Sequence, residues 1–209
     1  MKIIIVEENL PIYNISVRNA LLYNNVCEHA RANVAVMSLP DTALLRKGTP
    51  LFVPDTAWPL TARIYAAARI CRLGRHIDEK FAHRYYDAVS VAVNFCAEDL
   101  LETLKHHGLP QDIARGFDGS IGIGDMIETA NYEPCEMTLI NDSNEKITLC
   151  TKGLKSRLNS HIAFLSKFIK LCHGDVILVG EGSKVIHLET GQTLTGYCEE
   201  NKCLEIRIK

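Results

Sequence analysis

The chain has 209 residues, 47% hydrophobic and 23% charged, with a formal net charge of −2. Those proportions exclude a disordered or fibrous chain, and a chain of this length can bury roughly 70% of its unfolded surface in one core. Its 23 basic and 25 acidic residues are spread without a run of one sign, which argues against nucleic-acid or membrane-surface binding.

Eight cysteines occur without a basic segment, apolar run and cleavage site at the start of the chain. They fit thiols in a reducing cytoplasm better than a disulfide framework. No apolar stretch approaches the ~20 residues of a membrane helix.

In chain order, Lys2 to Val6 is a β-branched apolar run and reads as a buried first strand. Leu51 to Val53 lies between Pro50 and Pro54 and is at most a brief extended piece. Ile64 to Cys71 reads as a central strand that stops at a turn containing Gly74. Asp78 predicts an N-cap for a helix over Glu79 to Tyr86, with Phe81 and Tyr85 on one face. Val89 to Phe95 predicts a strand, and Glu98 to His107 an amphipathic helix stopped by Gly108.

Further on, Glu136 to Ile140 and Lys146 to Cys150 flank the turn-rich Asn141 to Asn144 and predict a hairpin. Ser160 to Leu171 predicts a helix, and the residues from Gly174 to Val179 a strand. A second hairpin is expected around Glu199 to Asn201. Strands outnumber helices without β-α-β alternation, so the expected class is α+β, dominated by mixed sheet. No linker, repeat or low-complexity segment divides residues 1–209, which predicts a single domain.

Four blocks carry a family resemblance: Pro40 to Leu45, Ile70 to Ile77, Ala114 to Ser120 and Gly174 to Gly180. In that order and spacing they resemble the fumarylacetoacetate hydrolase family in its short single-domain form. Residues 1–50 are the divergent part and 51–209 the best-matching core. The resemblance implies a mixed β-sandwich roll with a few peripheral helices, usually a homodimer. It also implies Mg- or Mn-dependent hydrolysis, decarboxylation or isomerisation of 2-oxo and 1,3-dicarbonyl acids.

In that family a hard dication is held by carboxylates and polarises the substrate's oxygens. The positions that correspond by resemblance hold Arg63, Tyr65 and Asn94, with Glu98 in place of the motif's Arg. Three carboxylates become one guanidinium and two neutral groups. A dication about 4 Å from one positive charge is repelled by about 8 kcal/mol at an effective dielectric of about 20. The family's general-base His corresponds to Tyr13, its Lys before Pro-Asp/Ser to Leu39, and its Thr-Gly-Thr-Pro to Val179 to Gly182; Arg115 keeps a positive charge where the family has Lys.

The resulting expectation is a catalytically degenerate member, without catalytic residues, metal or cofactor, that acts as a binding or interaction protein. The alternative is a metal-independent hydrolase, decarboxylase or isomerase of a small 2-oxo or 1,3-dicarbonyl acid, with Arg63 and Arg115 holding the substrate carboxylate. The expected pocket comprises Arg63, Tyr65, Asn94, Arg115 and Asp118, and its expected ligand is a small carboxylate.

Arg63 either grips that anion or pairs with Glu98 or another acid. Should the matching be out of register, Asp87, Glu98, Asp99 and Asp118 are the acids available as metal ligands. Tyr13 and Tyr65 are more simply packed than acid–base groups, and Cys71 and Cys96 lack a His partner. Cys198 and Cys203 lack the second pair a zinc site needs. His106 and His107 suit a helix C-terminus, and the glycines from Gly119 to Gly124 lack a nucleotide loop's Lys-Ser/Thr.

Overall fold

The computed structural model describes residues 1–8, 34–130 and 135–209. Its larger sheet runs β2-β1-β9-β3-β4-β5, with β10 beside β3 and β6 beside β4. These strands are β1 (Ile3–Glu7), β2 (Ala35–Leu39), β3 (Leu60–Ile70), β4 (Tyr86–Ala97), β5 (Ile121–Ile123), β6 (Ile127–Glu128), β9 (Val176–Gly180) and β10 (Val185–Leu188). The smaller sheet is β12-β11-β7-β8, from β7 (Glu136–Asn141), β8 (Lys146–Cys150), β11 (Thr193–Cys198) and β12 (Asn201–Arg207). β1 is parallel to β9 and antiparallel to β2, so the expected mixed sheet is present. Among the described residues four α-helices accompany the sheets: α1 (Glu79–Ala82), α2 (Glu98–His106), α3 (Asp112–Arg115) and α4 (Leu154–Phe168).

The two-residue alternation of a strand sorts its side chains onto two faces. On one face of the larger sheet Ile64, Ala66, Ala68, Val91, Val93 and Phe95 join Met137, Leu139, Leu194 and Ile206 of the smaller sheet and Leu158, Ile162 and Leu165 of α4 in the main core. The opposite face carries a second cluster that includes Ile3, Ile5, Tyr65, Ala67, Ala92 and Leu178. Arg63 and Glu7 share the parity of Tyr65 and Ile5, and Asn94 that of Ala92. Alternation therefore brings these polar residues to the side facing away from the main core. Glu8, one residue on, takes the parity of Ile4 and Val6 and meets α4 through Arg157 and His161.

Several boundaries differ from the sequence reading. The helix begun by Asp78, whose side chain accepts from the Lys80 amide, stops at Ala82. Cys71 N–H donates to the Tyr85 carbonyl, so the chain is already turning into β4, where a tertiary pairing outweighs local helix pattern. α4 begins at Leu154, after Gly153 in the left-handed region (φ 72°), and ends before Leu171, which pairs with Gly74. β10 was not anticipated; it is short and pairs with β3.

Candidate active site

β3 and β4 pair antiparallel with Arg63 opposite Asn94 and Tyr65 opposite Ala92. This register sets Arg63, Tyr65 and Asn94 on neighbouring strands, and α3 supplies Arg115 from beyond Asn94. Asn94 donates to the Arg115 carbonyl at 2.8 Å and accepts from Arg115 Nε at 3.0 Å, which fixes the guanidinium. Arg115 Nη2 then donates to the Tyr65 hydroxyl at 2.7 Å and lies 2.7 Å from Glu7 Oε1. The Tyr65 hydroxyl donates to the same Glu7 oxygen at 2.6 Å. A carboxylate, a phenol and a guanidinium thus meet at one point.

Burial alone would raise the Glu7 carboxyl, but the Arg115 charge and the Tyr65 hydroxyl outweigh it and hold the group below its ordinary value. Glu7 is ionised at neutral pH. Burial pushes the Tyr65 phenol far above its ordinary value; Arg115 opposes this and Glu7 adds to it. The phenol stays protonated. Arg115 is almost wholly enclosed, with a side chain 3% exposed, Tyr65 is fully buried, and Glu7, at 13%, is the most exposed of the three.

Arg63 makes a separate bidentate pair with Glu98, its Nη2 lying 2.9 and 2.8 Å from the two carboxylate oxygens. Thr61 donates to Glu98 and accepts from Arg63, and Arg63 Nε donates to the Gly182 carbonyl. Gly182, at φ 65°, presses its backbone against the triangle, and an added Cβ would fall on Glu7 Oε1 and the Tyr65 hydroxyl. An added Cβ on Gly180 would press on the Tyr65 ring and the Ile64 carbonyl.

Four of the five expected pocket residues, Arg63, Tyr65, Asn94 and Arg115, come together as internal partners of acids and carbonyls. Asp118 does not join them; it lies exposed in the turn after α3. Among the alternative acids, Glu98 is bound to Arg63 and Asp87 to Arg69 at 2.9 Å, while Asp99 is exposed in the first turn of α2. Tyr13 lies outside the described residues. Leu39 and Val179 are packed in the two cores. Cys96 lies near the site, but burial pushes its thiol up to about 11 against the nearby Arg63, far from a nucleophile's range. Glu7 was missed by the sequence reading; its signal is the first of two consecutive acids closing a buried β-branched run, on the face shared by Ile3 and Ile5.

The model of the fumarylacetoacetate hydrolase C-terminal family matches residues 15–207. The chain belongs to the fumarylacetoacetate hydrolase family. Its curated relatives include a mitochondrial oxaloacetate tautomerase of Arabidopsis thaliana, 27% identical over 81% of this chain and 79% of the relative. An oxaloacetate tautomerase of Escherichia coli (strain K12) is 28% identical over 75% of this chain and 73% of the relative. Among solved structures, a family protein from Yersinia pestis CO92 has a TM-score of 0.81 at 22% identity, covering 100% of this chain and 92% of that one. A fumarylpyruvate hydrolase from Pseudomonas aeruginosa, solved with Mn2+ and pyruvate, has a TM-score of 0.74 at 20% identity, covering 100% and 89%.

The expectation of a degenerate binding or interaction protein does not stand, because these relatives are named for the reactions they catalyse. Its physical premise was the loss of the cation's carboxylates together with the family's general-base His. The fold retains Arg115, Arg63 and a protonated phenol beside a carboxylate, and these can do electrophilic and acid–base work.

The donor set does not fit the dication that the family resemblance implies. Asn94 Oδ1 already accepts from Arg115, and the oxygens of Glu7 and Glu98 face guanidinium groups. Among the described residues no three His, Cys, Asp or Glu side chains converge to hold a metal, and no helix among them is long and apolar enough to cross a membrane.

Proposed function

We propose that this chain is an enzyme that enolises a small 2-oxo or 1,3-dicarbonyl acid, interconverting its keto and enol forms, with oxaloacetate the first substrate to test. The observation that carries this reading is the Glu7–Tyr65–Arg115 triangle. Glu7 is the base: its carboxylate removes the proton from the carbon between carbonyl and carboxylate. The C–H electron pair forms the C=C bond, and the carbonyl's π pair moves to oxygen, which takes the Tyr65 proton. The proton on Glu7 then crosses the 2.6 Å contact to Tyr65, and both groups return to their starting state. Arg115 stabilises the negative charge as it passes over the phenol oxygen.

This closed proton cycle favours isomerisation over hydrolysis, since no water has to be activated. It also favours a dicarbonyl or dicarboxylate substrate, whose doubly activated C–H is within reach of a carboxylate base. Arg63 stands where the resemblance places one of the cation's carboxylates, and its positive charge disfavours a dication there, so the proposed reaction runs without one. A homodimer in a thiol-reducing compartment such as the cytoplasm remains part of the proposal. The seven described cysteines are all free, in keeping with such a compartment.

The test is ultraviolet measurement of oxaloacetate keto–enol exchange with purified protein, with and without a strong chelator. Acceleration that survives chelation and disappears in Glu7→Gln is expected. No acceleration, or acceleration abolished by the chelator, would overturn the reading.

A further inference from the structure

The charges that look dispersed along the sequence gather in the fold. At the end of β3 the loop through Arg72 to Ile77 lies against the C-terminal end of α4. Gly74 and Leu171 exchange backbone hydrogen bonds at 3.0 and 2.9 Å, and His76 N–H donates to the Ser166 carbonyl at 2.9 Å. These contacts assemble Arg72, Arg75, Lys80, Arg84, Lys167 and Lys170, all exposed, on one end of the molecule. The acids interspersed among them are Asp78 and Glu79, and Asp78 pairs with Lys80. The face therefore holds an excess of four positive charges on a chain whose total is −2, and the remainder is correspondingly acidic.

Three large apolar side chains stand among these cations: Leu73, 62% exposed, Phe81, 43%, and Phe168, 61%. They sit on a loop, a one-turn helix and a helix end. Protruding apolar tips ringed by Lys and Arg are the pattern of a peripheral contact with an anionic bilayer, in which the tips enter the headgroup layer and the cations meet lipid phosphates and carboxylates. Single-stranded nucleic acid fits less well, because base stacking needs a free aromatic face. Lys80 and Arg84 already lie 4.9 and 5.0 Å from the centre of the Phe81 ring, and Phe168 packs on Phe164.

We infer that this face docks the protein on a negatively charged lipid surface. The face is at the opposite end of β3 from Arg63, roughly 23 Å away at ~3.3 Å per residue. Docking there does not involve Glu7, and the inference stands apart from the proposed reaction.

Co-sedimentation with vesicles tests it. The wild-type chain is expected to sediment with vesicles of phosphatidylcholine containing about 30% phosphatidylserine, and not with phosphatidylcholine alone. Arg75→Glu with Arg84→Glu should lower vesicle affinity about tenfold or more. Leu73→Ser with Phe168→Ser should bind at low salt but release at about 0.15 M salt, where screening leaves little beyond the apolar contribution. All substituted residues are exposed, so thermal melts should match the wild type. Sedimentation that ignores lipid charge, or none at all, would overturn the inference. So would a single-stranded oligonucleotide that binds the Leu73/Phe168 variant undiminished and displaces the wild type from vesicles, or a wild-type dimer that the charge reversal dissociates in the absence of any vesicle binding.

Discussion

Arg63 and Glu98 form a two-pronged ion pair between β3 and the first turn of α2, with side chains 6% and 20% exposed. The carboxylate stands at the helix N-terminus, where backbone amides also favour negative charge. Removing one partner leaves the other charge enclosed, which costs more than removing both. Glu98→Leu is expected to destabilise by about 3 kcal/mol, and the double change Arg63→Met with Glu98→Leu by clearly less. Urea denaturation of the three proteins measures the difference; a double variant weaker than Glu98→Leu would contradict it.

Tyr65→Phe removes the proton donor of the triangle but keeps the ring. Loss of that hydroxyl should reduce oxaloacetate enolisation by about 10²–10⁴-fold, with a stability change of only ~1 kcal/mol because Glu7 and Arg115 remain paired. Steady-state rates and a denaturation curve on one preparation check both. Unchanged turnover would remove Tyr65 from the chemistry.

Acid stability follows from Glu7, Glu8 and Glu98, each held below its ordinary value of 4.5. In each case burial pushes the pKa up, and hydrogen bonds and neighbouring cations more than offset it. A depressed folded-state pKa contributes stability that is complete above the unfolded value and lost as pH falls through the folded one. Urea midpoints should therefore hold steady down to about pH 5 and then decline. Glu8 is the enclosed partner of Arg157 and His161, both at 2.6 Å, so Glu8→Gln should be less stable at neutral pH and show a flatter acid limb. An unchanged slope would show that Glu8 contributes nothing to the linkage.

Thiol reactivity should divide by environment. Burial pushes Cys96 up to about 11 and Cys198 up to about 12, the latter also raised by neighbouring Cys203. Cys135 and Cys150 are exposed. Iodoacetamide on the native protein, followed by peptide mass mapping, should label Cys135 and Cys150 first and leave Cys96 and Cys198 intact until unfolding. Early modification of Cys96 would mean that the site opens far more readily than its packing implies.

Gly182→Ala should impair the site from the backbone side, since its φ of 65° strains a non-glycine residue and the new methyl would fall on Glu7 Oε1. The expected result is a loss of turnover at least as large as that of Tyr65→Phe. Wild-type activity in this variant would place the reacting groups elsewhere.

The sequence alone carried the elements whose cause is local. The apolar run of β3, the β-branched alternation of β4, the Asn141 to Asn144 turn and the Asp78 cap each depend on residues a few positions apart. The four family blocks likewise led to the mixed sheet. Arg63, Tyr65, Asn94 and Arg115 were identified by position, but nothing in the linear sequence shows which acids and carbonyls they meet. Tertiary structure decided their partners. Strand parity turned Glu7 toward Tyr65 and Arg115 while sending Glu8 to α4, and the Arg63–Asn94 register set the distance to α3. It also ended α1 at Ala82, placed Asp118 outside the site and brought Arg75 beside the end of α4. Each outcome depends on pairing between segments tens of residues apart, where long-range hydrogen bonds and shared burial outweigh the local preferences a linear reading can detect.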